Sequence, residues 1–564
     1  YYDAGDGIRS DGILTIKGGA IGTAQGDGGS GDGGDGIFGR AMKILAGTIG
    51  TAKGGNATDT NSGDGGAGIA SDGTLTIHSG NIETAQGGTS ANGNGGSGIR
   101  SGDTLTISNS TTITNATGGT STNGNGGSGI YSNRELKIDG NAAITNATGG
   151  DSTDGNGGYG IRSSNMLTIS DNAAITNATG GSGRRGGHGL FGTAMKIISS
   201  TIGTAKGGEG KTSGGNGIYS VGPLTIQKAT ITNATGGNAT SIDGTGGNGI
   251  FSDGKLSIEK ATITNATGGD ADNGTGGSGI RGDGSSDDFK LYIYSTTIEN
   301  ATGGSGKRGG SGILGKTMEI LTSTIKKAIG GRSTGEKSYH TGGAGISSYG
   351  GLTIQGGTTV QATGGNADSG TGGSGKSGGA GVSTESGIVS IGNSDTPLDL
   401  TATAPDADNA IRGRDGKKLD EIIHLKENGK RGLVKLVENG VTRLFHNGVY
   451  TKSIYPAGSE THPLGDWVIT KKPTCTEKGE RQRSCKVEHC VVTETEELPA
   501  LGHQWSGWMP VQGDSSREYR ICAVCNAVEY RDVSHSSDSS NSGDSTISTG
   551  LRVLDPAQAD ILQN

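Results

Sequence analysis

The sequence predicts an all-β fold: a parallel β-helix (a solenoid) of about 13 coils of about 31 residues, followed by a β cap and a small Cys/His module. Two observations predict the solenoid. A glycine followed by an aliphatic residue recurs at intervals of 28 to 36 residues, and short strand-like apolar patches lie within each interval. This mark occurs at Ile8, Ile37, Ile69, Ile99, Ile130, Ile161, Leu190, Ile218, Ile250, Ile280, Ile313, Ile346 and Val382.

The composition agrees with an elongated repeat protein. Glycine supplies 116 of 564 residues, whereas aromatic residues make up 4% and hydrophobic residues 29%. That is too little apolar material for one large globular core, and too regular a pattern for disorder. The net charge is −8, and lysine and arginine form no basic stripe along the repeats, so we expect no nucleic-acid partner. No stretch of about 20 apolar residues exists, so we expect no transmembrane segment in this chain.

One interval shows how each coil is built. The segment GSGIYSNRELKIDGNAAITNATGG (127–150) contains apolar patches at Ile130–Tyr131, Leu136–Ile138 and Ile144–Ala147. Apolar and polar residues alternate in these patches, as strands require, and residues that favour turns separate them. Each coil is therefore predicted to have three short strands and three corners. The glycine-rich run between coils is predicted to be a polar loop along one edge.

The phrase TITNATGG and its close variants recur through the repeats. Stacked coils would place the asparagine of each copy above that of the previous one, so that the side-chain amides hydrogen-bond in a ladder. We therefore interpret the phrase as structural rather than catalytic. The predicted ladder consists of Asn115, Asn146, Asn177, Asn233, Asn265 and Asn300.

Three unusual coils contain methionine in the second apolar patch, at Met42, Met195 and Met318. Methionine fills irregular gaps in apolar cores, so we interpret these coils as copies of a duplicated block with methionine in the core. Two of them follow basic loops, which leaves open a second interpretation: a basic edge that contacts an anionic glycan. That edge would consist of Arg184, Arg185, Lys307 and Arg308.

The pattern GGxGI…LTI…TIT…ATGG, over residues 1–391, resembles the glycine-rich β-helix repeats of secreted surface proteins of anaerobic Firmicutes. Some of those proteins are described as carbohydrate-binding-domain-containing. The resemblance implies an extracellular bacterial protein, at the cell surface or secreted, that contacts polysaccharide or a host-surface glycan. It supplies no catalytic residues. The chain begins at Tyr1, within a repeat, so we expect a processed protein or a fragment.

Residues 392–460 are predicted to form a β cap with a hairpin. Apolar alternation surrounds two Asn-Gly pairs, Asn439-Gly440 and Asn447-Gly448, and Asn-Gly between such runs is a strong hairpin signal. A cap would cover the strand edges of the last coil. The last residues of the sequence, 536–564, are predicted to be a Ser-rich linker followed by the start of a further element.

Residues 461–535 contain all five cysteines and are predicted to form a module of two imperfect units. Its sequence, PTCTEKGERQRSC…ETEELPALGHQW, resembles a small Cys/His repeat common near the C-termini of Firmicutes surface proteins. The C-x2-C spacing lets two thiolates bind one metal ion. A structural zinc site would then consist of Cys522, Cys525 and His535, with His503 from the preceding unit.

Two other states of the cysteines remain open at this stage. Disulfides are favoured outside the cell in modules too small for a full core, and five cysteines would then leave one thiol, which we assign to Cys475. Reduced thiols without a metal are the third state.

These features predict a non-enzymatic surface protein, a rigid stalk or adhesin, with no catalytic or cofactor-binding residues assigned. Candidate glycan contacts are Tyr131, Tyr159, Tyr219 and Phe251, each near a coil mark. The alternative is a β-helix enzyme acting on polysaccharide, a lyase or glycosidase, which would need closely placed carboxylates.

The most irregular insert in the repeats is Asp283–Tyr294, which contains Asp287 and Asp288. An enzyme of the alternative class would be expected to depart from the repeat at its active site. We interpret this insert instead as a loop insertion followed by a strand.

Overall fold

The computed structural model of the chain describes two compact units, Tyr1–Gly458 and Ser459–Asn564, which are treated separately below. No helix among the described residues is long and apolar enough to cross a membrane. The described residues are 4–58, 62–283, 290–334, 341–354, 358–366, 378–384, 389–391, 399–404, 411–412, 423–425, 433–438, 441–446, 449–450, 464–484 and 493–533.

The first unit is a parallel β-solenoid of about 11 turns of about 31 residues, which confirms the predicted fold class. These about 11 turns are described nearly in full, and short strands continue the stack after the later marks. The last two marks, Ile346 and Val382, lie where the described segments are short. Each full coil has a first, a second and a third strand, in chain order.

In the first two coils one long strand spans the first and second positions: Ile8–Ile16 and Ile37–Ile44. The other first strands are Ile69–Ser71, Ile99–Ser101, Ile130–Ser132, Ile161–Ser163, Leu190–Gly192, Ile218–Ser220, Ile250–Ser252, Ile280–Gly282, Ile313–Gly315, Ile346–Ser348, Val382–Thr384 and Ile411–Arg412. The other second strands are Leu75–His78, Leu105–Ser108, Leu136–Ile138, Met166–Ile169, Ala194–Ile198, Leu224–Gln227, Leu256–Glu259, Lys290–Tyr294, Thr317–Leu321, Leu352–Ile354, Val389–Ile391 and Ile423–Leu425.

The third strands form a separate sheet. They are Ala20–Gln25, Thr48–Lys53, Asn81–Gln86, Thr112–Thr117, Ala143–Thr148, Ala174–Thr179, Thr201–Lys206, Thr230–Thr235, Thr262–Thr267, Thr297–Thr302, Thr324–Ile329, Thr359–Thr363, Asp399–Ala404 and Leu433–Glu438.

Equivalent residues of successive coils lie side by side. Ile144, for example, is in register with Ile113 of the preceding coil and Ile175 of the following one, in parallel strands. The apolar side chains therefore stack into a continuous column. Ile144 is 1% exposed and Ala147 is fully buried. Met42, Met195 and Met318 lie in the same column, which confirms their predicted core position.

Hydrogen bonds within and between coils, and turn conformations, stabilise the corners. At the first corner, Ser132 Oγ donates to the carbonyl oxygens of Asp103 and Glu135, both at 2.8 Å. Between the second and third strands, Asn141 has φ of 63°, in the left-handed region that asparagine tolerates. Turn residues at these positions agree with the sequence pattern.

The glycine-rich run differs from the expected polar loop. Its flanking glycines form two extended, buried segments per coil that pack directly on one another. Gly119 N–H donates to Gly96 O at 2.7 Å, and Gly127 N–H donates to Gly119 O at 2.9 Å. A Cβ on Gly119 would overlap the Gly88 carbonyl, and one on Gly127 would overlap the Gly96 carbonyl. Glycine is needed here because the backbones approach too closely for any side chain.

The first and second strands together form one sheet, and the centres of five successive glycine-rich runs add a smaller, five-stranded parallel sheet. Its strands are Gly183–Arg185, Gly210–Ser213, Ala239–Thr245, Ala271–Thr275 and Gly306–Arg308.

Parallel stacking continues past residue 391. Asp399–Ala404 pairs in parallel with Leu433–Glu438, which pairs antiparallel with Val441–His446, followed by Val449–Tyr450. The predicted hairpin is confirmed by this pairing, although the Asn-Gly pairs themselves lie outside the described residues. In the irregular insert, Lys290–Tyr294 is a strand as expected, and residues 284–289 are not described.

Among its described residues the second unit has two three-stranded antiparallel sheets, in line with the predicted duplication, and in each a tryptophan contacts two arginines. At the first sheet, the guanidinium groups of Arg481 and Arg483 each lie 4.6 Å from the ring centroid of Trp467. At the second, those of Arg520 and Arg531 lie 4.6 and 4.4 Å from the ring centroid of Trp508. The strands are Val468–Lys471, Gly479–Ser484 and Thr493–Leu498, then Met509–Val511, Asp514–Ile521 and Val528–Asp532.

Candidate ligand-contact row and candidate metal centre

A row of aromatic and arginine side chains runs along the outside of the solenoid. The central residue of each first strand alternates with two buried neighbours and is partly exposed in six successive coils. Strand register aligns these six side chains. The aromatic–arginine row consists of Tyr131, Arg162, Phe191, Tyr219, Phe251 and Arg281.

Neighbouring members of the row contact one another. Tyr219 and Phe251 are parallel within 9°, with ring centroids 5.1 Å apart, and Phe191 lies 5.6 Å from Tyr219. Arg162 lies 5.2 Å from the ring centroid of Tyr131, and Arg281 lies 5.1 Å from that of Phe251. Cation–π contacts of this kind stabilise by about 0.5–1 kcal/mol at exposed sites. Neighbouring members of the row therefore lie against the rings of Tyr131, Tyr219 and Phe251.

Hydrogen-bonding groups border the row. Tyr219 Oη donates to Asp253 Oδ2 at 2.5 Å, and Arg281 Nη2 pairs with Asp283 Oδ2 at 2.5 Å. Burial and the bond to Asp253 raise the pKa of Tyr219, so its hydroxyl stays protonated. Tyr131 Oη donates to Asn133 Oδ1 at 2.9 Å. Polar groups of Asn133, Asp253 and Asp283 thus lie next to members of the row.

Of the four predicted contact residues, Tyr131, Tyr219 and Phe251 lie in the row. Tyr159 lies beside it, 5.0 Å from Phe191 between ring centroids. The sequence interpretation missed Phe191 and the two arginines. Counting one residue on from each coil mark would have found them, because that position is the central residue of the first strand.

His188 lies beside the row, where its ring contacts two tyrosines. Its ring lies 4.8 Å from that of Tyr219 and 5.3 Å from that of Tyr159. Asn216 N–H donates to His188 Nδ1 at 2.8 Å, which places the imidazole proton of the neutral ring on Nε2. Burial and the positive charge of Arg162 lower the pKa of His188 to about 3, from 6.5. The imidazole is therefore neutral and accepts a backbone hydrogen bond.

Acidification is expected to weaken the solenoid at His188. The pKa is lower in the folded than in the unfolded state, so this contribution to stability is complete above pH 6.5 and is lost as pH falls towards 3. At pH 5 we expect a loss of about 2 kcal/mol relative to pH 7. Hydrogen exchange of the Asn216 amide, corrected for the intrinsic pH dependence, would measure it.

His188→Asn provides the matched control. Asn216 occupies the equivalent position one coil later, where its Oδ1 accepts from Asn248 N–H at 2.6 Å. Asparagine at 188 would retain the acceptor without titrating. The variant should lose the pH-dependent change in exchange at Asn216. An equal change in both proteins would contradict the assignment to His188.

The four predicted basic residues are not brought together. Arg184 and Arg185 lie in the first strand of the five-stranded sheet and Lys307 and Arg308 in its last, with three strands between them. Lys307 Nζ also lies 3.7 Å from Asp243 Oδ1. The two pairs are therefore not adjacent, although they lie in the same sheet.

Two neighbouring carboxylates occur in the first coils, at Asp6 and Asp35. Asp35 N–H donates to Asp6 Oδ1, and Ala67 N–H donates to Asp35 Oδ1, both at 2.6 Å. Burial raises the pKa of Asp35 to about 6. Asp6 also pairs with Arg9 at 3.0 Å. Both carboxylates thus accept backbone hydrogen bonds from the next coil, as ladder residues do. Asp287 and Asp288 lie outside the described residues.

The second unit brings four metal-ligating side chains together: Cys475, His503, Cys522 and Cys525. Their ligand atoms all lie within 4.8 Å of one another. Cys475 Sγ lies 3.7 Å from Cys522 Sγ, and Cys525 Sγ lies 3.2 Å from His503 Nδ1. This Cys3His group could hold a metal ion such as zinc.

Both sheets contribute to this group. Cys475 lies between the first two strands of the first sheet, and His503 follows that sheet's last strand. Cys522 and Cys525 lie in the turn between the last two strands of the second sheet, and Cys522 N–H donates to Ala527 O at 2.8 Å. Metal binding there would fasten one sheet to the other.

The electrostatics of the two buried thiols differ. Burial and the neighbouring thiols raise the pKa of Cys475. Burial also acts on Cys522, but hydrogen bonds from the backbone N–H groups of Val524 and Cys525, with His503, outweigh it and lower its pKa to about 6. Backbone N–H groups directed at a sulfur stabilise the thiolate, which is the form that binds metals.

Three of the four predicted ligands, Cys522, Cys525 and His503, belong to this group. His535 lies outside the described residues, as do Cys485 and Cys490. Cys475, which the disulfide interpretation left as the odd thiol, is instead the fourth member of the group. Cys475, Cys522 and Cys525 are all free thiols.

The chain matches no protein-family model, no curated protein and no solved structure.

Proposed function

We propose that this chain is a non-enzymatic extracellular surface protein in which the solenoid serves as a rigid stalk. The observation that carries this proposal is the in-register stacking of equivalent residues through successive coils. About 11 turns at strand spacing give a stack of roughly 50 Å. The resemblance of the repeats to those of bacterial surface proteins supports an extracellular location.

Side-chain ladders add rigidity along the stack. Asn146 Nδ2 donates to Asn115 Oδ1, and Asn177 Nδ2 donates to Asn146 Oδ1, both at 3.0 Å. A second run follows the same pattern. Asn265 Nδ2 donates to Asn233 Oδ1 at 2.9 Å, and Asn300 Nδ2 donates to Asn265 Oδ1 at 3.0 Å. The predicted ladder therefore forms as two runs of three asparagines, with Thr204 at the equivalent position of the coil between them. Hydrogen bonds that link each coil to the next oppose bending and sliding, as a stalk requires.

A second function, adhesion to a polysaccharide, is favoured by the aromatic–arginine row. Its ring edges offer apolar contact, and Arg281, Asp253 and Tyr219 offer hydrogen bonds along the same line. A hydroxyl-rich chain laid along the row would meet both kinds of contact in successive coils. Several weak, similar contacts in series increase the overall affinity. Face-on stacking of sugars, as in many lectins, is not the expected mode, because the rings cover one another.

The alternative, a polysaccharide lyase or glycosidase, would need a pair of catalytic carboxylates free to act as acid and base or nucleophile. Asp6 and Asp35 are neighbours, but each accepts a backbone hydrogen bond from the next coil. Their arrangement supports a structural role.

A glycan-array screen of the full chain, with turnover followed on every hit, tests these proposals. We expect binding without turnover. The double variant Arg162→Ala/Arg281→Ala should weaken that binding at least tenfold. Arg9→Ala is the matched control, because Arg9 lies over Phe38 at 4.9 Å in the same register position but outside the row.

Turnover of a bound glycan would contradict the non-enzymatic proposal. Equal loss of binding in Arg9→Ala and the double variant would contradict the row as the contact surface. A protein that binds no glycan would be a stalk without adhesive function.

A further inference from the structure

We propose that Cys475, His503, Cys522 and Cys525 bind one Zn²⁺ ion as a closed structural centre, and that this centre joins the two sheets of the second unit. The inference is independent of the proposed function of the solenoid. It also replaces the ligand set expected from the sequence, because Cys475 takes the place given to His535.

The sulfur–sulfur distance fits a shared metal ion. Zinc–sulfur bonds of about 2.3 Å in a tetrahedron separate two sulfurs by about 3.8 Å. Cys475 Sγ and Cys522 Sγ are 3.7 Å apart. A disulfide would require about 2.05 Å. The thiols are therefore spaced as co-ligands and not as a bonded pair.

The donor set selects the ion. Three thiolates and one imidazole are the ligands preferred by zinc, whereas calcium and magnesium prefer oxygen donors. The group contains no carboxylate. Four protein ligands complete a tetrahedral shell and leave no position for substrate or water, so the centre is structural rather than catalytic.

The small apolar core of the second unit explains the need for a metal ion. Val468, Ile469 and Leu501 are 65%, 54% and 60% exposed, whereas Cys475 and Cys522 are 5% and 0% exposed. Two of the four ligands, Cys475 and Cys522, are thus buried, whereas large apolar side chains of the same unit are exposed. Small domains of this kind commonly depend on a metal for folding, because binding free energy then stabilises the fold.

Zinc content of the full chain, purified without chelator, is the test. We expect about one zinc per chain, released by a strong chelator and replaceable by Co²⁺ with the visible absorption of a tetrahedral thiolate site. Cys475→Ser and His503→Asn should each lose the tetrahedral spectrum. His503→Cys should keep it, because a fourth thiolate is an equivalent ligand; this variant separates loss of a ligand from failure to fold.

His535→Asn distinguishes the two ligand sets. The structural set predicts unchanged zinc content in this variant, whereas the set expected from the sequence predicts its loss. Loss of zinc in His535→Asn, with retention in Cys475→Ser, would overturn the proposal. A Cys475–Cys522 disulfide found by peptide mapping of the non-reduced protein would also overturn it, as would copper found in place of zinc.

Discussion

Alanine in place of Gly119 is expected to disrupt the packing of two successive coils of the solenoid. The new Cβ would overlap the Gly88 carbonyl, so the backbones of two coils would have to separate. The hydrogen bonds that join Gly119 to the neighbouring glycine segments would be lost with that separation. We expect a destabilisation of about 3 kcal/mol or more, since overpacking against backbone cannot relax through a side-chain rotamer. Chemical denaturation of the full chain, followed by circular dichroism, would measure it.

Gly22→Ala is the matched control for this prediction. Gly22 lies in the third strand of its coil, and a Cβ there would meet nothing within 4 Å. Alanine at this position should be neutral or stabilise by up to about 1 kcal/mol, because it restricts the unfolded chain. Equal effects of the two substitutions would show that glycine packing does not determine stability.

Ile144→Ala should have the second largest effect. Ile144 is 1% exposed and lies in register between Ile113 and Ile175. Truncation would leave a cavity in the core column, to which each coil contributes a single layer of side chains. We expect a loss of about 2–5 kcal/mol. Because each coil contacts only its neighbours, hydrogen exchange should increase most in the coils immediately before and after.

Thr145→Ala controls for the loss of side-chain atoms from the same strand. Thr145 is exposed on the outer face. Its replacement should change stability by less than about 0.5 kcal/mol. If Ile144→Ala proved as mild as Thr145→Ala, the continuous core column would be contradicted.

The repeat architecture could be predicted from the sequence because equivalent positions in successive repeats define which residues pair. Copies of the same phrase must occupy the same place in successive coils, so Asn115 and Asn146 were expected to meet and do so. The alternation in Leu136–Ile138 predicted a strand in the same direct way.

The packing of glycine segments could not be predicted in this way. Glycine-rich runs are typical of loops, and nothing in their composition reveals that Gly119 lies against the backbone of another coil. The close approach becomes visible only when three-dimensional stacking places two runs side by side. The interpretation of these runs as polar loops was therefore wrong for their flanking glycines.

Of the two candidate sites, one could be predicted from the repeat pattern and the other could not. Tyr131, Tyr219 and Phe251 share a row because they share a position in the repeat, and register alone brings them together. Cys475 joins Cys522 through the packing of two non-repetitive sheets, at a sequence separation of 47 residues. No spacing rule within the chain selects Cys475 over the other cysteines.

The account depends most on the claim that one repeat forms one coil in parallel register. Cysteines placed at Ala143 and Ala174, a register pair on adjacent third strands, test it directly. In-register parallel strands lie about 4.8 Å apart, within the Cα separation that a disulfide requires. We expect rapid, intramolecular cross-linking of Ala143→Cys/Ala174→Cys, located by peptide mapping. Cross-linking should be poor in Ala143→Cys/Thr176→Cys, which is offset by two residues. Preferential cross-linking of the offset pair, or of neither, would contradict the register and with it the fold.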